Sequence, residues 1–232
     1  MSKLQWDQTG ERFYETGSKM GVLYLQNASG AYPSGVAWPG LTGVSDNPSG
    51  GDATKLWADD MKYLTMRSAE EFGFTIKAYY FPDEFMVCDG SASVLDGVSF
   101  GQQTRQAFGF CYRSVLGNDV KLNDYGYKLH LYYGCTASPS SREHNTVNDN
   151  PDAIEFSWDC ETNPVATTVK VSGKALKPVC TIEIDSSKVD ADDLEDLEEK
   201  LYGTDGTGGS TGTDAYLPLP DEVYTTLGGT LT

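Results

Sequence analysis

Residues 99–134 read SFGQQTRQAFGFCYRSVLGNDVKLNDYGYKLHLYYG, and two segments within them alternate strictly. Phe108, Phe110 and Tyr112 fall on one side of an extended chain, and Ala107, Gly109, Cys111 and Arg113 on the other. Tyr127, Leu129, Leu131 and Tyr133 then alternate with Lys128, His130 and Tyr132. Period-two placement of aromatic and branched side chains marks half-buried strands. The link at residues 116–126, LGNDVKLNDYG, is rich in turn formers. The expectation is a long antiparallel hairpin with an exposed polar tip, set in the middle of a β-sheet.

The flanking sequence extends the sheet. Phe72, Phe74, Ile76, Ala78 and Tyr80 alternate with Gly73, Thr75, Lys77 and Tyr79, and Ile154, Phe156, Trp158 and Cys160 repeat the pattern. Shorter strands are expected at residues 22–25, 167–172 and 179–185. Residues 32–52 read as two short strands with an extended excursion, long enough to imply a contact of its own. Residues 55–67, KLWADDMKYLTMR, carry signals for both strand and helix. Residues 1–17 read as a loosely held arm anchored by Leu4, Trp6, Phe13 and Tyr14, and residues 137–152 as a polar loop. Several strands separated by turn signals predict a β-sandwich or barrel.

One helix stands against this background. Asp190 is a suitable N-cap, Asp193 falls at N3, and Val189 can staple to Leu194. Leu194, Leu197 and Leu201 form one apolar stripe for packing on a sheet, Lys200 suits the C-terminal end of the helix dipole, and Gly203 suits a C-terminal cap. Residues 203–214, GTDGTGGSTGTD, form a low-complexity linker. The tail at residues 215–232 carries Leu217, Leu219, Val223 and Tyr224, apolar residues that require a partner surface. The expected organisation is one β domain over residues 1–202, with its flanking helix at 190–202, followed by a linker and C-terminal arm at 203–232.

A chain of 232 residues with 39% hydrophobic and 12% aromatic content and 25 glycines suits one large β domain. Its 34 acidic residues against 17 basic ones give a net charge of -17. That balance opposes binding to a phosphate backbone, which depends on Lys and Arg displacing counterions. It suits a surface that nucleic acid must pass without sticking. The first residues, MSKLQWDQTGERF, hold no apolar signal core, and no apolar run has the length of a membrane span. The five cysteines, Cys88, Cys111, Cys135, Cys160 and Cys180, contain no CxxC pair. Free, mostly buried thiols in a reducing cytoplasm are expected.

No motif builds an active site. Gly97-Val-Ser-Phe-Gly101 fits the G-x-S-x-G pattern, but its sequel leads into a strand, whereas a nucleophile elbow is followed by a helix. His130 lies within a predicted strand and His144 in a polar loop, without metal-ligand spacing. The run at residues 190–199 reads as a solvated helix face. Residues 206–214 match a calcium-binding glycine repeat only faintly and in one copy. Asn27-Ala-Ser29 is formally a glycosylation sequon, without meaning unless the chain is secreted. No catalytic residue, metal or cofactor is expected.

A set of landmarks runs in order along nearly the whole chain: WDQTGERFYETG at 6–17, GAYPSGVAW at 30–38, SAEEFG at 68–73, YFPDEF at 80–85 and CDG at 88–90. GQQTRQAFGFCYR at 101–113, NDYGYKLH at 123–130, DSSKVD at 185–190, LYGT at 201–204 and LPLPDEV at 217–223 continue it. In these stretches the chain resembles the major tail, or tail tube, proteins of long non-contractile-tailed phages (siphophages), particularly those of Gram-positive hosts.

The resemblance implies a mainly β fold, a β-sandwich or barrel with a flanking α-helix, a long inter-subunit loop and extended terminal arms. It implies a structural virion protein, not an enzyme, whose hexameric rings stack into a hollow tube. The implied partners are further copies of the chain, the tape-measure protein, the tail-tip and head-proximal terminator proteins, and phage DNA that passes through without specific binding. No membrane is implied, and assembly is expected in the host bacterial cytoplasm. Candidate lumen residues are Asp119, Asp124, Glu155 and Asp159. Candidate contacts between rings are Trp38, Leu41, Val44, Asp46, Trp57, Leu217, Leu219, Val223 and Tyr224. The rival reading is a β-sandwich phage decoration or receptor-binding module, which would share the composition but bind a capsid or glycan.

Overall fold

The computed structural model describes residues 3–144, 146, 153–206 and 211–231. The chain is mainly β with antiparallel pairing throughout. In order, the strands are β1 (Phe13–Leu25), β2 (Gly35–Trp38), β3 (Leu41–Asp46), β4 (Ser49–Gly50), β5 (Ala53–Ala58), β6 (Met61–Arg67), β7 (Glu70–Glu71) and β8 (Gly73–Ala78). A 3-10 turn at Asp83–Val87 leads to β9 (Ala92–Leu95), β10 (Val98–Phe100), β11 (Phe108–Asn118), β12 (Leu122–Ala137) and β13 (Phe156–Thr162). The chain closes with β14 (Lys170–Val171), β15 (Lys174–Ala175), β16 (Thr181–Asp185), helix α1 (Ala191–Tyr202) and helix α2 (Pro220–Thr226).

The main sheet runs β2-β1-β11-β12-β13-β8-β3, with β16 pairing the middle of β12, Lys128 to Tyr132, and β13 its last residues. Its two ends, β2 and β3, are joined by Pro39-Gly40 alone, so the sheet must curl back on itself. The Tyr79 amide donates to the Gly40 carbonyl at 2.9 Å and pins that corner. Inside the curl lies an aromatic core of Leu23, Trp38, Phe74, Ile76, Phe85, Phe108, Phe110, Tyr132 and Trp158. Stacked and tilted ring pairs hold it together, including Phe74–Tyr132 at 4.4 Å and Trp38–Phe85 at 4.5 Å between centroids.

The central hairpin is covered on both faces, whereas its alternation predicted half-burial. A second core lies on its other side, where Cys111, Leu129, Leu131 and Tyr133 meet Leu194, Leu197 and Leu201 of α1 and Leu217 and Val223 of the C-terminal segment. The segment after the linker therefore finds its apolar partner on its own chain. Tyr133 hydroxyl donates to the Pro218 carbonyl at 2.9 Å, and Leu217 bridges to Tyr32. A register shift near Gly134, whose φ is 60°, lets both Tyr132 and Cys135 reach the inner core while Tyr133 faces the outer one. The Asn163 carbonyl occupies the space a Cβ would need there, so only glycine fits.

Three boundaries differ from the sequence reading. The hairpin tip is a three-residue turn, not residues 116–126, because the Asn118 side chain accepts from the Val120 and Lys121 amides and closes it early. The predicted N-terminal arm enters the sheet at Phe13, where Phe13 packs on Tyr125 and the Tyr14 hydroxyl donates to Asn123. Of residues 167–172 only Lys170–Val171 pairs, in a two-rung hairpin with Lys174–Ala175.

Part of the predicted polar loop, residues 145, 147–152, lies outside the described residues, as do residues 207–210 of the linker. Helix α1 begins where its cap predicts: Asp190 accepts from the Asp192 amide at 3.0 Å, and Val189 and Leu194 join one cluster. Among the described residues no helix is long and apolar enough to cross a membrane. All five cysteines are free thiols, four of them buried.

Candidate assembly surfaces

The ribbon formed by β5 and β6 is an exposed apolar element. Every residue of both strands is exposed, and the strands pair only with each other. Asp59 and Asp60 turn the chain with φ of 49° and 59°, the left-handed pair that a two-residue hairpin requires. The register places Leu56 opposite Leu64 and Ala58 opposite Met61, so Thr54, Leu56, Ala58, Met61, Leu64 and Met66 share one face without a charge. The other face carries Lys55, Trp57, Lys62, Thr65 and Arg67. Sequence reasoning singled out Trp57 but missed the apolar face. Asp-Asp is a weaker hairpin signal than Asn-Gly, and a bulge between Leu56 and Trp57 breaks the alternation.

The other residues expected between rings separate into three groups. Trp38, Leu217 and Val223 are each 2% exposed or less. They are corrected to core residues of this chain, because the curled sheet and the returning C-terminal segment enclose them. Leu41 and Val44 pack partly against the inner core, and Asp46 accepts from the Tyr132 hydroxyl at 2.8 Å. Leu219 and Tyr224 remain partly exposed, Tyr224 beside a groove of about 430 Å³ lined by Ile182, Ile184, Val189 and Leu227.

The structure does not gather the four lumen candidates on one wall. Asp119 sits at the hairpin tip and accepts from the Gly10 and Arg12 amides, fastening the N-terminal segment there. Asp124 follows the same turn and lines a polar groove with Glu195 and Glu198. Glu155 accepts from the Thr42 hydroxyl at 2.6 Å, and Asp159 from the Thr75 hydroxyl at 2.6 Å. The two pairs lie toward opposite ends of β12, which has 16 residues. At ~3.3 Å per residue that is on the order of 50 Å.

A polar cluster that sequence reasoning missed ties β1 to the hairpin. The Ser114 hydroxyl donates to Glu15 Oε1 at 2.5 Å and lies 2.9 Å from His130 Nε2, while Lys128 Nζ reaches Glu15 Oε2 at 2.9 Å and Glu183 at 2.7 Å. The ring of His130 stacks on Tyr112 at 4.5 Å. The residue types are those of a catalytic triad, but the arrangement is not. Glu15 and Ser114 share one imidazole nitrogen, Glu183 lies 4.0 Å from the other, and Ser114 is only 3% exposed. The cluster is a clamp that satisfies buried polar groups.

Ser99 lies on β10 of an exposed hairpin with no helix behind it, so the G-x-S-x-G match builds no elbow. Among the described residues no group of three or more His, Cys, Asp or Glu side chains is placed to hold a metal.

Desolvation pushes the Glu15 pKa up, but hydrogen bonds from Ser114 and Lys128 outweigh it and hold the carboxyl below its ordinary 4.5. A lowered carboxylate stabilises the fold above about pH 4.5, and that contribution fades as pH falls through the lowered value. Glu15→Gln is therefore expected to reduce the urea midpoint at pH 7 and to converge with the unsubstituted chain toward pH 3. A constant difference between the two across that range contradicts the clamp.

No protein-family model matches the chain, and no curated protein is similar to it in sequence. Among solved structures, it is similar to a chain in the cryo-EM structure of an extracellular contractile injection system, the PVC sheath–tube complex in its extended state. The identity is 10%, the alignment covers 78% of this chain and 94% of that one, and the TM-score is 0.37.

Proposed function

We propose that this chain is a structural subunit of a phage tail tube, assembling with copies of itself into a hollow cylinder. The observation that carries the reading is the β5–β6 ribbon. An isolated two-stranded hairpin is marginal in water, and this one shows an uncharged apolar face to solvent. Such an element is accounted for if a neighbouring copy covers it. The ordered sequence landmarks support the same reading and add its finer detail. Hexameric rings would stack in the siphophage manner around the tape-measure protein, bounded by tail-tip and terminator proteins.

A head-to-tail contact closes into a ring, and an unclosed one between rings propagates a filament. The net charge of -17 fits a conduit along which DNA moves without binding. In this reading Trp57, Leu219 and Tyr224 meet neighbouring copies, the N-terminal segment supplies further contacts, and Asp119, Asp124, Glu155 and Asp159 contribute to the repulsive field. Assembly takes place in the host cytoplasm and the product is a virion component, with no catalytic step.

Sedimentation velocity over a wide concentration range tests self-assembly. The expected result is a cooperative passage from small species to large polymers. A single discrete monomer or trimer at every concentration, with or without added tail-tip complex, contradicts the tube and favours the capsid- or glycan-binding module.

A further inference from the structure

The ribbon's second face identifies what it docks on. Arg67, Lys55 and Lys62 occupy three successive rungs of that face, with Trp57 opposite Lys62. Within residues 53–67 there are three Lys or Arg and two Asp, a balance of +1 in a chain whose total is -17. The two aspartates are at the turn, leaving Lys55, Lys62 and Arg67 as the only charges on the face. Among the described residues none of these three cations makes an ion pair, and the ribbon finds no substantial packing partner within the chain.

The complementary surface is on helix α1. With Leu194, Leu197 and Leu201 buried in the second core, Asp192, Glu195, Asp196 and Glu199 form an exposed stripe on the other side. Among the described residues none of these four carboxylates is in an ion pair. The neighbouring cations are engaged elsewhere, Lys200 with Glu222 and Thr226, and Arg113 with Glu198. The spacings are commensurate. Three rungs two residues apart span ~13 Å along a strand. The eight helical residues from Asp192 to Glu199 span ~10 Å. Long Lys and Arg side chains cover the difference.

We propose that the Lys55–Lys62–Arg67 face of the ribbon docks on the acidic stripe of helix α1 in a second copy of this chain. The proposal rests on the tube reading and names the contact that reading requires. The ribbon is then used on both sides: its cationic face fixes register against the helix, and its apolar face is covered as subunits close around it.

Charge reversal on the full-length chain tests this. The first variant carries Lys55→Glu, Lys62→Glu and Arg67→Glu. The second carries Glu195→Lys, Asp196→Lys and Glu199→Lys, and a third carries all six. Circular dichroism and thermal melting check that each chain folds, and sedimentation reads self-association. Each three-site variant is expected to associate at least about tenfold more weakly, because attraction becomes like-charge repulsion. The six-site chain is expected to regain association.

Three-site variants that associate like the unsubstituted chain overturn the docking, and so does a six-site chain that stays as weak as they are. If tubes still form in those cases by electron microscopy, the tube reading stands without this contact. Recovered pairwise association without tubes keeps the docking and contradicts the tube.

Discussion

Trp38→Ala is expected to destabilise the folded chain by about 3–5 kcal/mol, the cost of removing a large aromatic from a close-packed core. Trp38 is 1% exposed, and its ring lies 4.5 Å from Phe85 and 5.6 Å from both Phe110 and Trp158. Its indole nitrogen donates to the Tyr80 carbonyl at 2.7 Å, so truncation also orphans an acceptor at the corner joining the sheet's two ends. For a chain of this length such a loss lowers the melting temperature by roughly 10 °C or more. Trp38→Phe keeps most of the volume and is expected to lose far less. A Trp38→Ala chain that melts normally but fails to assemble contradicts the core assignment and returns Trp38 to a subunit contact.

The converse is expected of the ribbon. Replacing Leu56, Met61, Leu64 and Met66 together by serine is expected to leave the melting temperature almost unchanged, since their exposures are 40%, 63%, 39% and 57% and they touch no core. Assembly carries the effect. Burying the exposed part of four such side chains contributes roughly 3 kcal/mol or more at ~25 cal/mol per Å². That corresponds to over a hundredfold in association, on the order of 1.4 kcal/mol per tenfold. Sedimentation and melting on the same samples separate the two. Normal polymerisation by the serine variant contradicts the ribbon's role; a large fall in melting temperature shows instead that the ribbon packs on its own chain.

The sheet was legible where one rule decided it. Strict alternation located Phe108–Tyr112, Tyr127–Tyr133, Phe74–Ala78 and Phe156–Cys160 on strands, and the Asp190 cap with the leucine stripe placed α1. What local pattern cannot carry is who covers the second face. Alternation around Cys111 and Leu131 reads alike whether solvent or α1 and Leu217 lie beyond, so half-burial was expected of strands that are buried on both sides.

The same gap misplaced Trp38 and Val223, whose apolar character is satisfied within the chain. Glu15, Ser114, Lys128, His130 and Glu183 meet only through the pairing of β1, β11, β12 and β16, and no spacing in the sequence joins them. The ribbon lies between these cases. Its register is local and was present in residues 53–67, but the left-handed Asp59-Asp60 turn carries a weaker sequence signature than the glycine-containing turns that usually reveal a hairpin.

Negative-stain electron microscopy of the purified full-length chain at high concentration, alone and with tail-tip complexes as initiators, tests self-assembly into a tube most directly. The expected result is hollow cylinders with a regular ring repeat along the axis and an open channel in end-on views. Compact particles under both conditions, without tubes or rings, would contradict it.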